Sequence, residues 1–207
     1  MGQASDAELM ARMQAGDRNA FGLLVDRYKD SMVNYLTRLT GTRALAEEMA
    51  QETFLRLFVH RARYTEQGKL GAFLYRIATN LCRSEQRRQR RQRLLRLGLF
   101  AAVNGSAGAS AGGSNGHAAV TGVTPQSQLL AQEAQDLLRR AITQLPLRFR
   151  VPLVLHEIEG LSYQEVARVT GCRENTIKSR ISRGRSQLRR RLEPYVNGAG
   201  ELSGETS

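Results

Sequence analysis

Cysteine is nearly absent from this sequence. Cys82 and Cys172 are the only two, far apart and in no CxxC arrangement, which argues against a disulfide framework and a zinc site. The three histidines, His60, His117 and His156, stand at no ligand spacing, and each is expected on the surface or in a linker. There is no metal-ligand cluster, no nucleophile–base pair and no glycine loop that would cradle a phosphate. Enzymatic chemistry and bound cofactors are therefore not expected. Tryptophan is missing and other aromatics are sparse. No apolar run approaches the ~18 residues of a membrane-spanning helix, so no membrane insertion is expected. No positive segment followed by an apolar stretch opens the chain as a secretion signal would, and a cytoplasmic protein is expected. Acidic residues number 19 against 31 basic ones, a formal net charge of +12. A chain this basic usually meets a polyanion, most often nucleic acid.

What is present is helical periodicity, and its clearest segment is 160–188. Ser162 and Glu165 form a capping box at the start of one helix, and Gly171 stands where a left-handed C′ residue is expected. A second, basic helix follows, and the pair has the pattern of a DNA-binding helix-turn-helix. At 100° per residue, Ile177, Ile181 and Gly184 face inward, the glycine letting the two helices approach closely. Asn175, Thr176, Ser179, Ser182 and Arg183 face outward, flanked by Lys178 and Arg180. Short polar groups can reach base edges and the cations can reach phosphates. A solvated amphipathic helix is the plainer alternative.

Upstream, Ser5 and Glu8 form another capping box for a helix over about 6–15. A longer helix starts near Ala20, with Phe21, Leu24, Val25, Tyr28, Met32, Tyr35, Leu36 and Leu39 at three- and four-residue spacing. The next spans about 43–60. Its apolar set is Leu45, Met49, Thr53, Leu55, Leu57 and Phe58, and its polar side holds Glu47, Glu48, Gln51 and Glu52. Acidic residues near a helix start also suit the helix dipole, so by themselves they read as a solvated face. Residues 64–70 form a loop, and a basic helix runs over about 72–97. Leu74, Ile77, Ala78 and Leu81 make its core stripe. Phe73, Arg76, Asn80, Arg83 and Arg87 recur on another face. An aromatic, an amide and three arginines in one row suit single-stranded or distorted DNA; burial of Phe73 in the core is an equal alternative. The arginine-dense run that follows is a generic phosphate-binding surface.

Residues 98–125 change character. They are rich in Gly, Ala, Ser and Asn, with almost no charge, and read as a flexible linker with an end-to-end distance of about 29 Å. Helices resume over 126–145, where Leu129, Leu130, Leu137, Leu138, Ala141, Ile142 and Leu145 define an apolar face, and over 148–158. Pro152 is tolerated if that last helix begins near Arg150. Residues 197–207 read as a disordered tail. The fold class is all-α: two small helical domains, 1–97 and 126–196, the second containing the helix-turn-helix.

The order of these parts closely resembles a bacterial RNA polymerase sigma factor of the extracytoplasmic-function (ECF) group. The resemblance is carried by EEMAQETFLRLF, then FLYRIATNLCR, a linker, and LPLRFRVPLVLHEIEGLSYQEVARVTGCRENTIKSRISRGRSQL. It implies a factor that binds core RNA polymerase and directs it to promoters, with domain 2 at the N-terminus and domain 4 at the C-terminus. It implies that Glu48, Gln51, Glu52, Phe54 and Leu55 dock on the β′ clamp helices, which turns the acidic face from solvated to functional. Tyr64, Lys69, Phe73, Arg76, Asn80, Arg83 and Arg87 would take the non-template strand at the −10 element. Arg173, Glu174, Asn175, Thr176, Lys178, Ser179, Arg180, Ser182 and Arg183 would read the −35 element, and another face of that domain would bind the β flap. An anti-sigma factor is a common partner in the group. The chain departs from the group's habit at Phe73 (often Trp), Ser84 (Asp) and Arg173 (Ser or Thr). The last removes an expected N-cap, a loss of about 1 kcal/mol unless Cys172 or water substitutes. A stand-alone helix-turn-helix regulator is the alternative, but it would have no use for an acidic docking helix beside a strand-binding face.

Overall fold

A computed structural model describes residues 4–65, 69–96 and 125–198, with backbone only for 125–131 and 196–198. The described residues contain α-helices, one 3-10 turn and no strand. They fall into two compact units, Met1–Gly116 and His117–Ser207, each helical as expected. The expected linker lies outside the described residues except for Pro125. That residue opens a helix, as its fixed φ and missing N–H allow at a first helical position. Asn197 and Gly198, expected in the tail, instead close the last helix.

The N-terminal unit comprises α1 (Asp6–Gln14), α2 (Arg18–Thr40), α3 (Arg43–Val59), a 3-10 turn (Arg61–Arg63) and α4 (Leu70–Arg96). The Ser5–Glu8 capping box is formed on both sides: Glu8 N–H donates to the Ser5 hydroxyl at 3.2 Å, and Ser5 N–H donates to the Glu8 carboxylate at 2.7 Å. Asp17 caps α2, accepting from the N–H groups of Asn19 and Ala20. Leu9, Met13, Leu24, Leu36, Leu57 and Leu74 are essentially fully buried, each contributing about 1.5–3 kcal/mol of apolar transfer. Tyr35 crosses Tyr75 edge-on at 4.9 Å, and its hydroxyl is 2.7 Å from Thr79 Oγ1, so a buried polar pair satisfies itself. Residues 86–96 of α4 are exposed throughout.

The C-terminal unit comprises α5 (Pro125–Thr143), α6 (Leu147–Glu157), α7 (Tyr163–Thr170) and α8 (Glu174–Gly198). Its core holds Ile142, Leu145, Val154, Leu155, Val166 and Ile177. Leu138 is 41% exposed, at the edge of the apolar face expected for α5; the side chains of Leu129 and Leu130 lie outside the described set. α6 begins three residues before Arg150, so Pro152 stands inside the helix rather than near its start. The carbonyl it leaves without a helical donor is that of Arg148, an exposed residue, while the proline ring itself is buried. Arg150 closes the preceding chain reversal, donating to the carbonyl oxygens of Thr143 and Leu145.

Candidate functional site

Three surfaces carry the sequence-derived candidates. The first lies along α3. A groove between α2 and α3 is lined by Phe21, Val25, Glu48, Gln51, Glu52 and Leu55, with Phe54 and Arg56. Leu55 is 55% exposed and Leu23 and Val59 stand out similarly on the same unit. Phe54, expected to make contacts outward, is only 6% exposed and belongs to the packed core beneath the groove. Leu55, placed in the core set by periodicity, points out. α3 is apolar on nearly every side from Thr53 to Val59, so spacing alone could not fix its inner face. The acidic groups are partly tied within the helix: Glu47 accepts from Arg43 and Glu52 from Arg56, both at 2.7 Å. Exposed i,i+4 pairs of this kind contribute only about 0.3–0.5 kcal/mol and yield readily to a partner.

The second surface joins the end of the 3-10 turn to α4. The Tyr64 and Phe73 rings meet edge-to-face at 5.1 Å, and the Arg76 guanidinium sits 5.0 Å from the Phe73 centroid. Phe73 and Arg83 are half-buried; Arg76, Asn80 and Arg87 are exposed. Phe73 thus takes neither expected extreme. One side packs, and the other remains at the surface beneath an arginine. Lys69 is exposed; 66–68 lie outside the described residues. Gly71, the second residue of α4, lies against Tyr28, where a Cβ would meet the ring at 3.4 Å. The Tyr28 hydroxyl donates to Asp6, and burial, followed by that carboxylate, holds the phenol far above its usual range. Glu85, on the side of α4 opposite the row, pairs with Arg88 at 2.7 Å, and that bond holds its carboxyl below the ordinary value. The row from Arg76 to Arg87 contains no acidic residue on its own face.

The third surface is the helix-turn-helix of α7 and α8. Its capping box forms as expected: the Ser162 hydroxyl accepts from Glu165 N–H at 3.3 Å, and Ser162 N–H donates to Glu165 at 2.9 Å. Gly171 is left-handed, at φ 67°. Ile177 and Ile181 are buried. Gly184 faces inward too, but toward Phe149 and Leu153 of α6 rather than α7. Arg173, Asn175, Lys178, Ser179, Ser182 and Arg183 are exposed; Glu174, Thr176 and Arg180 are half-buried. The Arg173 carbonyl accepts from Thr176 and Ile177 N–H, opening α8. Cys172 does not act as its cap: Sγ accepts from Arg180 at 3.1 Å and lies 3.7 Å from the Thr170 carbonyl. Arg180 thus folds back across the turn. Lys178 pairs with Glu174 at 2.8 Å, which raises the ammonium above its ordinary range. Arg185 bonds Glu157 at 2.9 Å, clamping α8 to α6.

Sequence reasoning missed two contacts. His156, expected on the surface, is half-buried, stacked on Tyr163 at 4.2 Å with Nδ1 2.8 Å from the Leu161 carbonyl oxygen. Gln14 reaches the chain entering the second surface, donating to the carbonyls of Arg61 and Tyr64. Both join segments that no local pattern relates. Among the described residues there is no cluster of three or more metal-ligating side chains and no helix long and apolar enough to cross a membrane.

Comparison with known proteins assigns these units. The sigma-70 region 2 family matches residues 24–92, and the sigma-70 region 4 family matches 135–188. The chain is 32% identical to the ECF RNA polymerase sigma factor SigW of Bacillus subtilis, over 87% of this chain and 93% of that one. The chain belongs to the ECF sigma factors. It is similar also to the ECF sigma-E factor of Escherichia coli K12, at 30% identity over 94% of this chain and 97% of that one. Two solved structures share the fold. The sigma factor RpoE in complex with the anti-sigma factor NepR from Bartonella quintana has a TM-score of 0.61 at 22% identity, covering 84% of this chain and 96% of that one. CnrH in complex with the cytosolic domain of CnrY has a TM-score of 0.62 at 21% identity, covering 92% and 99%. As a sigma factor the protein directs core RNA polymerase to promoters, and sigma factors are non-enzymatic initiation factors.

Proposed function

We propose that the three surfaces divide the work of promoter recognition. Residues 1–97 act as sigma domain 2 and 125–198, the span of α5 to α8, as sigma domain 4, tethered by 98–124, with 199–207 a tail. Glu48, Gln51, Glu52 and Leu55 meet a basic surface on the polymerase β′ clamp helices, with Phe54 supporting them from beneath. Tyr64, Lys69, Phe73, Arg76, Asn80, Arg83 and Arg87 take the non-template strand of the −10 element. Arg173 to Arg183 enter the −35 major groove, and a further face of the same unit meets the β flap. The proteins sharing the fold were solved with an anti-sigma factor and with the cytosolic domain of CnrY, and an anti-sigma partner is proposed here too. The chain works in the cytoplasm, with no cofactor and no reaction of its own.

The observation that carries this reading is the Tyr64–Phe73–Arg76 stack at the head of an arginine row. A half-buried aromatic pair that still reaches the surface beside cations is what a displaced base and its phosphates require. Duplex readout alone would need only α7 and α8. The test is run-off transcription with purified protein, core RNA polymerase and a promoter library. Transcripts sharing two spaced elements are expected. Absence of transcript together with failure to co-elute with core polymerase would refute the reading.

A further inference from the structure

On the reading of the strand-binding face given above, we propose that Gln14 is a positioning residue for the promoter strand. It acts from α1 by fixing the backbone that carries Tyr64. Gln14 is the last residue of α1 and is exposed. Its Nε2 donates to the Arg61 carbonyl at 2.8 Å and to the Tyr64 carbonyl at 2.9 Å. A carboxamide nitrogen has two hydrogens, and each has an acceptor here. The Arg61 carbonyl also accepts Tyr64 N–H at 3.1 Å. Both ends of the 3-10 turn are thereby hooked to one side chain of a distant helix.

The anchor itself is firm. Leu9, Met10 and Met13 bury α1 in the core, and Asp6 ties its first turn to α2 through Arg27 at 2.5 Å and through Tyr28. From that base, Tyr64 leaves the turn extended, at φ −73° and ψ 115°, with its ring edge on Phe73. The aromatic head of the row is thus set before DNA arrives, and its ordering does not have to be charged to strand binding. Few side chains can do this from position 14. Glutamate has the length but no donor, and asparagine is one methylene short.

The experiment uses the full chain with core polymerase and a promoter selected by run-off, carrying 2-aminopurine in the non-template strand of the −10 element. The rate of fluorescence rise reports strand opening. Gln14→Glu and Gln14→Ala should each slow it about three- to tenfold, the effect of losing one or two neutral hydrogen bonds. Thermal stability should fall by no more than those hydrogen bonds contribute, a few degrees in Tm, and core affinity should stay at its wild-type value. In a Tyr64→Ala background, Gln14→Glu should add almost nothing, because the group it positions is gone. A Gln14→Glu rate equal to wild type, with Phe73→Ala still impaired, would overturn the proposal alone. So would an undiminished Gln14→Glu effect in the Tyr64→Ala background, which marks a general structural role. A Phe73→Ala variant that opens promoters normally would overturn the reading of the face itself, and the proposal with it.

Discussion

Replacing Gly184 by alanine adds one methyl between α8 and α6. Its Cβ would lie 3.5 Å from the Phe149 carbonyl oxygen and 3.7 Å from the Cβ atoms of Phe149 and Leu153. Those are ordinary van der Waals separations, so nothing has to move. In a helix interior, alanine is more favourable than glycine by about 0.8–1 kcal/mol. Gly184 is buried, so the methyl adds apolar burial of up to about 0.8 kcal/mol. Allowing for a few tenths lost to imperfect fit, Gly184→Ala should gain about 0.5–1.5 kcal/mol, or about 3–9 °C in Tm for a domain this small. Gly171→Ala should have the opposite sign. Nothing lies within 4 Å of a Cβ there, but φ is 67°, so the cost is conformational alone, about 1–2 kcal/mol. Gly171→Asn should recover part of it. Calorimetry on the full chain gives the shifts, and hydrogen exchange of the α8 amides assigns them to the C-terminal unit. A fall in Tm for Gly184→Ala would refute the argument and restore a strict need for glycine at the α6–α8 contact.

Glu48→Lys with Glu52→Lys should weaken co-elution with core polymerase about tenfold, taking roughly 0.7 kcal/mol per reversed exposed charge; unchanged co-elution would return that face to solvent. Arg183→Ala should cost about 1–3 kcal/mol on −35 duplex with relaxed specificity if it reads a base. A sequence-independent loss with a salt slope smaller by about one would assign it to phosphate. The Glu8 carboxyl is held below its ordinary value of 4.5, first by the Ser5 N–H and then by the Ser5 hydroxyl. Its stabilising contribution is therefore complete above that value and is lost as pH falls through the lower folded one. As pH falls below 4.5, the wild-type Tm should fall more steeply than that of Glu8→Gln. Parallel curves would show that the capping box carries no such linkage.

The helices were legible because their determinants are local. Ser5–Glu8 and Ser162–Glu165 announce starts, Gly171 announces a stop, and three- and four-residue spacing marks the buried face of α2. The site was legible in part, since Phe73, Arg76, Asn80, Arg83 and Arg87 follow one helical face by arithmetic. What escaped is set by neighbours distant in sequence. Whether Phe54 or Leu55 of α3 faces inward depends on α2, because both flanks of that stretch are apolar. The partner of Gly184 is α6, not the helix adjacent in the motif. Arg180 sits on the outer flank by periodicity, yet its length lets it fold back to Cys172. Pro152 was expected near the start of its helix because its local cost is visible and its burial is not.

The buried row of α4 and its aromatic-arginine row share one uninterrupted cylinder. Leu74, Ala78 and Leu81 close the core while Phe73, Arg76 and Asn80 look outward, so the outer row exists only when the inner one is packed. On the proposed function, the promoter strand would then be a ligand of the folded unit and not of the unfolded chain. At a free concentration about 100 times its Kd, such a ligand would stabilise the unit by about 2.7 kcal/mol, enough to raise its resistance to proteases in the open complex. The linkage runs both ways. A lesion at Leu74, which touches no base, would surface first as a promoter defect, and it would be relieved by raising the concentration of promoter.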